Sequence, residues 1–315
     1  MPAWLKLLTA VLLLSGLAAC ASTPQTQALQ HSLQYEDADA LPRQALISDL
    51  PFFAQDDYQC GPAALATMLV HSGSPSTPEA LVPMVYVPAR KGSFQPEMSA
   101  AARSHARLVY TLEPQLETVL TEVAAGHPVL VLQNLALNVL PRWHFAVVKG
   151  YDLERGRIVL NSGRHENYEV SLPTFERTWA RASHWAQVVL PPDTLPVSAE
   201  PQALFAAIVA LQESGQSDSA ALAYGSGLTR WPDNQELLMG AGNLAYASGD
   251  SADALARFER LTRLYPDYAP AHNNLALLLQ EQGEHARALQ HAQSAVALGG
   301  AFLEQYQATL EGLLP

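Results

Sequence analysis

Charge is scarce in this chain, and positive charge is the scarcer kind: charged residues make up 15%, with 18 Lys and Arg against 30 Asp and Glu, a net of −12. No basic stripe exists to replace phosphate counterions, so nucleic acid is excluded as a partner class. Cysteine is nearly absent, with two residues in the whole sequence, Cys20 and Cys60. The histidines do not fall at ligand spacing with cysteine or carboxylates, so neither a metal site nor any other cofactor is called for. Long apolar runs are also missing; the longest, near the N-terminus, is too short to span a bilayer by itself. What is present argues for folded structure, since 49% of residues are hydrophobic and 315 residues exceed the usual single-domain size. Two domains are expected. The acidity is uneven: Ser198 to Pro315 holds 13 acidic and 5 basic residues, a net of −8, whereas Leu46 to Pro192 holds 13 and 11, a net of −2.

Residues 1–20 read as a targeting segment. Lys6 precedes the apolar core Leu7 to Leu14, and the segment ends in Leu17-Ala18-Ala19-Cys20. This resembles a bacterial lipoprotein signal, which implies cleavage before Cys20, acylation of that cysteine and a mature chain tethered by lipid. Ala21 in place of aspartate implies sorting to the outer membrane, facing the periplasm. Residues 21–45 are polar, Gln- and Ala-rich and without periodicity, and are expected to form a tether. If Cys20 carries lipid, Cys60 has no partner for an internal disulfide and is a free thiol in an oxidising compartment.

Cys60 opens the stretch CGPAALATML. Pro62 and the run of good helix formers after it predict a buried helix with the cysteine at its mouth. There the unpaired backbone N–H groups and the helix dipole favour a thiolate. A small buried hydrophobe is the structural alternative. Ile47 to Phe53 is expected as a short strand leading into a turn at Gln55. Helices are expected from about Thr77 or Ala80, from Pro96 to His105 and from Pro114 to Ala125, the last closed by Gly126. From Pro128 the period changes to two: 128–134, 144–151, 157–160, 168–171 and 184–190 are β-branched or aromatic runs between Gly, Pro and Asn. Helices followed by an antiparallel sheet make an α+β domain over 46–192.

A cysteine nucleophile needs a base, a group to orient it and oxyanion donors. His144, at the start of a predicted strand, can sit at the sheet rim and face the Cys60 helix. The other nine histidines flank loops and helices or lie in the second domain. Gln55, Cys60-Gly61-Pro62-Ala63, His144-Phe145-Ala146-Val147-Val148 and Gly150-Tyr151-Asp152 together resemble the peptidase C39-like group of papain-like cysteine proteases. The resemblance implies Cys60 as nucleophile, His144 as general base and then acid, and Gln55 as a side-chain oxyanion donor beside the Cys60 N–H. The family's orienting Asp or Asn falls in Leu160-Asn161-Ser162-Gly163. One register puts Ser162 in its place and a slip of one puts Asn161 there; alternation lets only one of them face His144. Asn161 is preferred, because its amide oxygen can accept the imidazole N–H.

After a Pro-rich linker at 193–199, the sequence matches itself at a period of 34: Gly215, Gly249 and Gly283; Ala220, Ala254 and Ala288; Pro232 and Pro266. This is the tetratricopeptide pattern, with units at about 200–233, 234–267 and 268–301 and a capping helix at 302–314, closing an all-α solenoid over 200–315. Such a solenoid binds peptides or proteins, with Asn243, Asn273 and Asn274 as groove candidates. The functional expectation is a membrane-anchored, periplasm-facing thiol peptidase that recruits protein through its repeats. A catalytically silent scaffold and a thiol amidase or acyltransferase are the alternatives.

Overall fold

The structure, a computed structural model, describes residues 23–35, 41–54, 59–90 and 92–314. Residues 1–20 with Cys20, read above as a targeting segment, and Gln55 lie outside the described residues. The chain divides into two compact units, the change falling between 190 and 199.

The first unit is α+β. Its sheet runs β4 (Leu108–Thr111), β9 (Ala186–Leu190), β5 (Val129–Asn134), β6 (Trp143–Asp152), β7 (Arg157–Ser162), β8 (His165–Ser171). The central pairs β5/β6, β6/β7 and β7/β8 are antiparallel. Where β5 runs out at Val129↔Val148, β1 (Gln44–Leu46) takes over and pairs Leu46 with Gly150. The register of β6 against β7 shifts between Val148 and Gly150, a bulge that re-aims the strand at this handover. Gly150 is needed there, because a Cβ would stand 2.8 Å from the Ala45 carbonyl oxygen.

One sheet face buries α2 (Cys60–His71), whose residues from Gly61 to Leu69 are all buried. Leu65, Met68 and Leu69 share a core with Leu130 and Leu132 of β5 and Phe145 and Val147 of β6. α3 (Pro78–Val85), capped by the Thr77 hydroxyl, and α4 (Gln95–Ser104) pack beside α2, with the two-stranded ribbon β2 (Tyr86–Val87) and β3 (Gly92–Ser93) between them in sequence. α5 (Leu116–Ala124) ends at Gly126, whose φ of 87° is the left-handed conformation glycine permits.

Three expectations are corrected. The strand sits at 44–46, and 47–53 leaves the sheet after one more bond, Ile47 N–H to the Lys149 carbonyl at 2.8 Å. Between β8 and β9 comes a helix, α6 (Leu172–Ala180), that strand periodicity overlooks; Ser171 caps it and Pro173 begins it, signals that were present in the sequence. The tether reading fails for part of 21–45: Pro24–Tyr35 is a helix, α1. Its support is tertiary, since the buried Glu176 of α6 accepts from the backbone N–H groups of Gln25 at 3.0 Å and Thr26 at 2.7 Å. The Gln25 side chain also bonds the Pro114 carbonyl and the Leu116 N–H. A carboxylate at a helix N-terminus complements its dipole, but a partner 150 residues away leaves no local pattern.

The second unit is all helix: α7 (Pro201–Glu213), α8 (Ser217–Arg230), α9 (Gln235–Ala247), α10 (Ser251–Leu264), α11 (Ala269–Glu281), α12 (His285–Leu298) and α13 (Leu303–Glu311). First helices begin at 201, 235 and 269 and second helices at 217, 251 and 285, the 34-residue period made visible. Gly215, Gly249 and Gly283 stop the first helices at φ of 84°, 81° and 79°. Ala220, Ala254 and Ala288 are fully buried where paired helices approach. Asn274 donates to Asn243 at 2.8 Å, and Asn273 is buried.

Removing the acceptor that holds α1 tests this account. Glu176→Ala should destabilise the first unit by about 1–3 kcal/mol in denaturant unfolding, since the buried Thr26 N–H and the part-buried Gln25 N–H lose their partner. It should also abolish amide-exchange protection at Thr26 before the sheet opens.

Candidate active site

Cys60 is the first residue of α2, with Gln59 before it adding no side-chain cap. Gly61 follows because nothing larger fits: a Cβ would come within 2.2 Å of Ser93 Oγ and 3.2 Å of Met98 Sδ. The ribbon strand β3 therefore closes over the mouth of α2. The thiol is partly buried and, like Phe53 and Trp185, packs against the edge of the core. Burial pushes the Cys60 thiol up, against the backbone N–H groups of Phe145, Gly61 and Cys60 itself, which favour the thiolate. Desolvation outweighs the helix mouth, so the resting sulfur is a thiol.

The Phe145 N–H is the link to the other half of the site, because the residue before it is His144. His144 lies at the start of β6, opposite Gln133 of β5. Its Nε2 is 2.9 Å from Ser162 Oγ, the last residue of β7. The imidazole is held well down, at about 4, first by burial and then by the positive charge of Arg142. Among the described residues no carboxylate offsets either effect. At neutral pH these effects favour a neutral imidazole, with a hydroxyl as its partner, and a protonated thiol.

This settles the register between the two orienting candidates against the expectation. Asn161 pairs with Val147 and is buried. Its amide donates to the Pro51 carbonyl at 3.5 Å and accepts from the Asn167 N–H at 3.4 Å. Alternation along β7 turns it away from His144 and toward the turn after β1, so it braces backbone, and Ser162 is the residue at the imidazole. Among the described residues no group of three or more His, Cys, Asp or Glu could hold a metal ion.

The loop before His144 carries signals that strand-and-motif reading passes over. Asn134 Oδ1 accepts from the backbone N–H groups of Ala136 at 3.1 Å and Arg142 at 2.9 Å, and Leu135 N–H donates to the Arg142 carbonyl at 2.9 Å. The loop is a braced hairpin, and it fixes the entry of β6 and with it the ring of His144.

Folding stability should report the His144 environment. The folded-state pKa of about 4 lies below the ordinary 6.5, so the unfolded chain binds the extra proton between these values. The contribution is intact above pH 6.5 and is lost as pH falls toward 4, on the order of 3 kcal/mol in all. His144→Gln should flatten that part of the stability curve; an unchanged slope between pH 6.5 and 4 in the variant would place the imidazole in water.

Two family models match the chain. The Peptidase_C39 like family matches residues 47–187, and the tetratricopeptide repeat family matches 205–250 and 240–301. Among solved structures, a C39-like peptidase from Bacillus anthracis aligns over 47% of this chain and 97% of its own, at 18% identity and a TM-score of 0.40. The Yersinia enterocolitica type III secretion translocator chaperone SycD aligns over 36% of this chain and 81% of its own, at 17% identity and a TM-score of 0.34. MamA from Desulfovibrio magneticus aligns over 36% and 64%, at 20% identity and a TM-score of 0.33. No curated protein matches the chain. The chain carries a Peptidase_C39-like domain followed by tetratricopeptide repeats.

Proposed function

We propose that the first unit is a thiol peptidase in which Cys60 attacks the peptide carbonyl and His144 takes the thiol proton as the bond forms. The observation that carries this reading is a helix-mouth cysteine whose thiol meets the backbone N–H of Phe145, the residue that follows a strand-borne histidine whose Nε2 is engaged by Ser162. With Nε2–H donating to the serine hydroxyl, Nδ1 is left as the basic nitrogen. The proton passes from Sγ to Nδ1 and then to the leaving amine, giving an acyl-enzyme that water hydrolyses through the same imidazole. The Cys60 N–H supplies one oxyanion donor, and Gln55 is assigned the second by family resemblance. An oxyanion donor of this type is worth ~10²–10³ in rate.

Tetratricopeptide repeats are protein-interaction modules, and this domain recruits a substrate or partner whose docking surface is neutral or basic, complementing the net −8 of 198–315. Acylation of Cys20 tethers the chain to the outer membrane, facing the periplasm. Ser162 in place of a carboxylate supports a second reading, a catalytically silent scaffold, because an imidazolium formed here lacks a compensating charge.

Covalent trapping separates the two. Incubation of the full chain with a panel of peptidyl chloromethyl ketones should leave one adduct, at Cys60, identified by peptide mass. His144→Ala should slow it at least tenfold, and Cys60→Ala should abolish it with the circular dichroism spectrum unchanged. Labelling no faster than that of a free thiol, and indifferent to His144, would establish the scaffold.

A further inference from the structure

The loop between β5 and β6 displays apolar side chains that, among the described residues, nothing in its own unit covers. Val139 is 89% exposed, Leu140 77%, Leu137 65% and Trp143 54%. Their display is built in: besides the Asn134 bonds, Leu140 N–H donates to the Leu137 carbonyl at 3.0 Å, and Arg181 at the end of α6 donates to the Asn134 carbonyl at 3.4 Å. Residues 135–143 contain no acidic residue and one base, Arg142. A substrate pocket is concave and half-buries its lining; this loop is a projection with its most exposed residue at the tip. Aliphatic residues at a tip, tryptophan at its base and a cationic neighbour is the arrangement that suits a lipid–water interface, where Trp sits at headgroup level and basic groups meet anionic lipid.

The N-terminus indicates the same partner. α1 begins at Pro24, four residues after Cys20, so the chain between them reaches at most about 14 Å. α1 is fixed to α6 through Glu176, and Arg181, five residues further along at 1.5 Å per residue or roughly 7.5 Å, touches the root of the loop. The helix that anchors α1 is thus also the helix that bonds the root of the loop, so an acyl group on Cys20 would be tethered through the element on which the loop rests.

We infer that the 135–143 loop inserts its Leu137, Val139, Leu140 and Trp143 side chains into the headgroup region of the membrane. This rests on reading Cys20 as acylated. Because Trp143 and His144 are consecutive, insertion holds the candidate active site at the membrane surface, and its substrate is a peptide segment presented there.

The test is tryptophan quenching in the full acylated chain, reconstituted in vesicles of phosphatidylethanolamine and phosphatidylglycerol with brominated acyl chains. Quenching should fall at least twofold in Trp143→Phe and in the triple variant Leu137→Ser, Val139→Ser, Leu140→Ser. Quenching unchanged in both variants, with an N-terminal peptide mass that shows acylated Cys20, would overturn the inference. A mass without lipid would fail the anchor instead, and the loop would then be judged by the same comparison with vesicles added from solution. If the triple variant slowed chloromethyl ketone labelling of Cys60 without lipid and left quenching intact, the loop would belong to a soluble peptide's binding site, which also overturns the proposal.

Discussion

The seating of the α2 N-terminus against the start of β6 is the contact on which the site depends. It requires Gly61, since Ser93 and Met98 leave no space for a side chain, and it requires the buried run from Ala63 to Leu69 to lock onto Leu130, Leu132, Phe145 and Val147. From that packing alone the Cys60 thiol meets the backbone N–H of Phe145. His144 then follows by one residue. Cys60 and the start of β6 are brought together by the core, not by polar attraction between them.

Electrostatics at this contact are set by dryness. Burial raises the thiol and lowers the imidazole, and Arg142 lowers the imidazole further. Ser162 supplies direction but no charge. These effects disfavour a standing thiolate–imidazolium pair, whose two charges would have to be desolvated together; in the peptidase reading proposed above, the proton would move during attack. The helix-mouth argument for a thiolate is physically sound but is the smaller effect here.

Much of this was legible in the residues themselves. The 34-residue period of the repeats is local, so each Gly and Ala announces its place; the period-two runs from Pro128 likewise mark strands, with ends that differ by up to three residues. Glu176 under α1 was not legible, because the bond that turns a polar segment into a helix joins residues 150 apart. Nor was the choice between Asn161 and Ser162, which depends on which face of β7 meets β6; chemical suitability favoured the asparagine, and strand alternation assigned the serine. Gln55 and Cys20 lie outside the described residues.

The most direct measurement of the central claim is iodoacetamide alkylation of Cys60 as a function of pH, in the wild type and in Ser162→Asp. A carboxylate placed at 162 would stabilise the imidazolium, so the account predicts that a low-pH plateau of reactive thiolate, absent from the wild type, appears in the variant. The wild type should titrate as a single thiol above the free value of about 8.5. Superimposable profiles, or a plateau already present in the wild type, would contradict the coupling of Cys60, His144 and Ser162 described here.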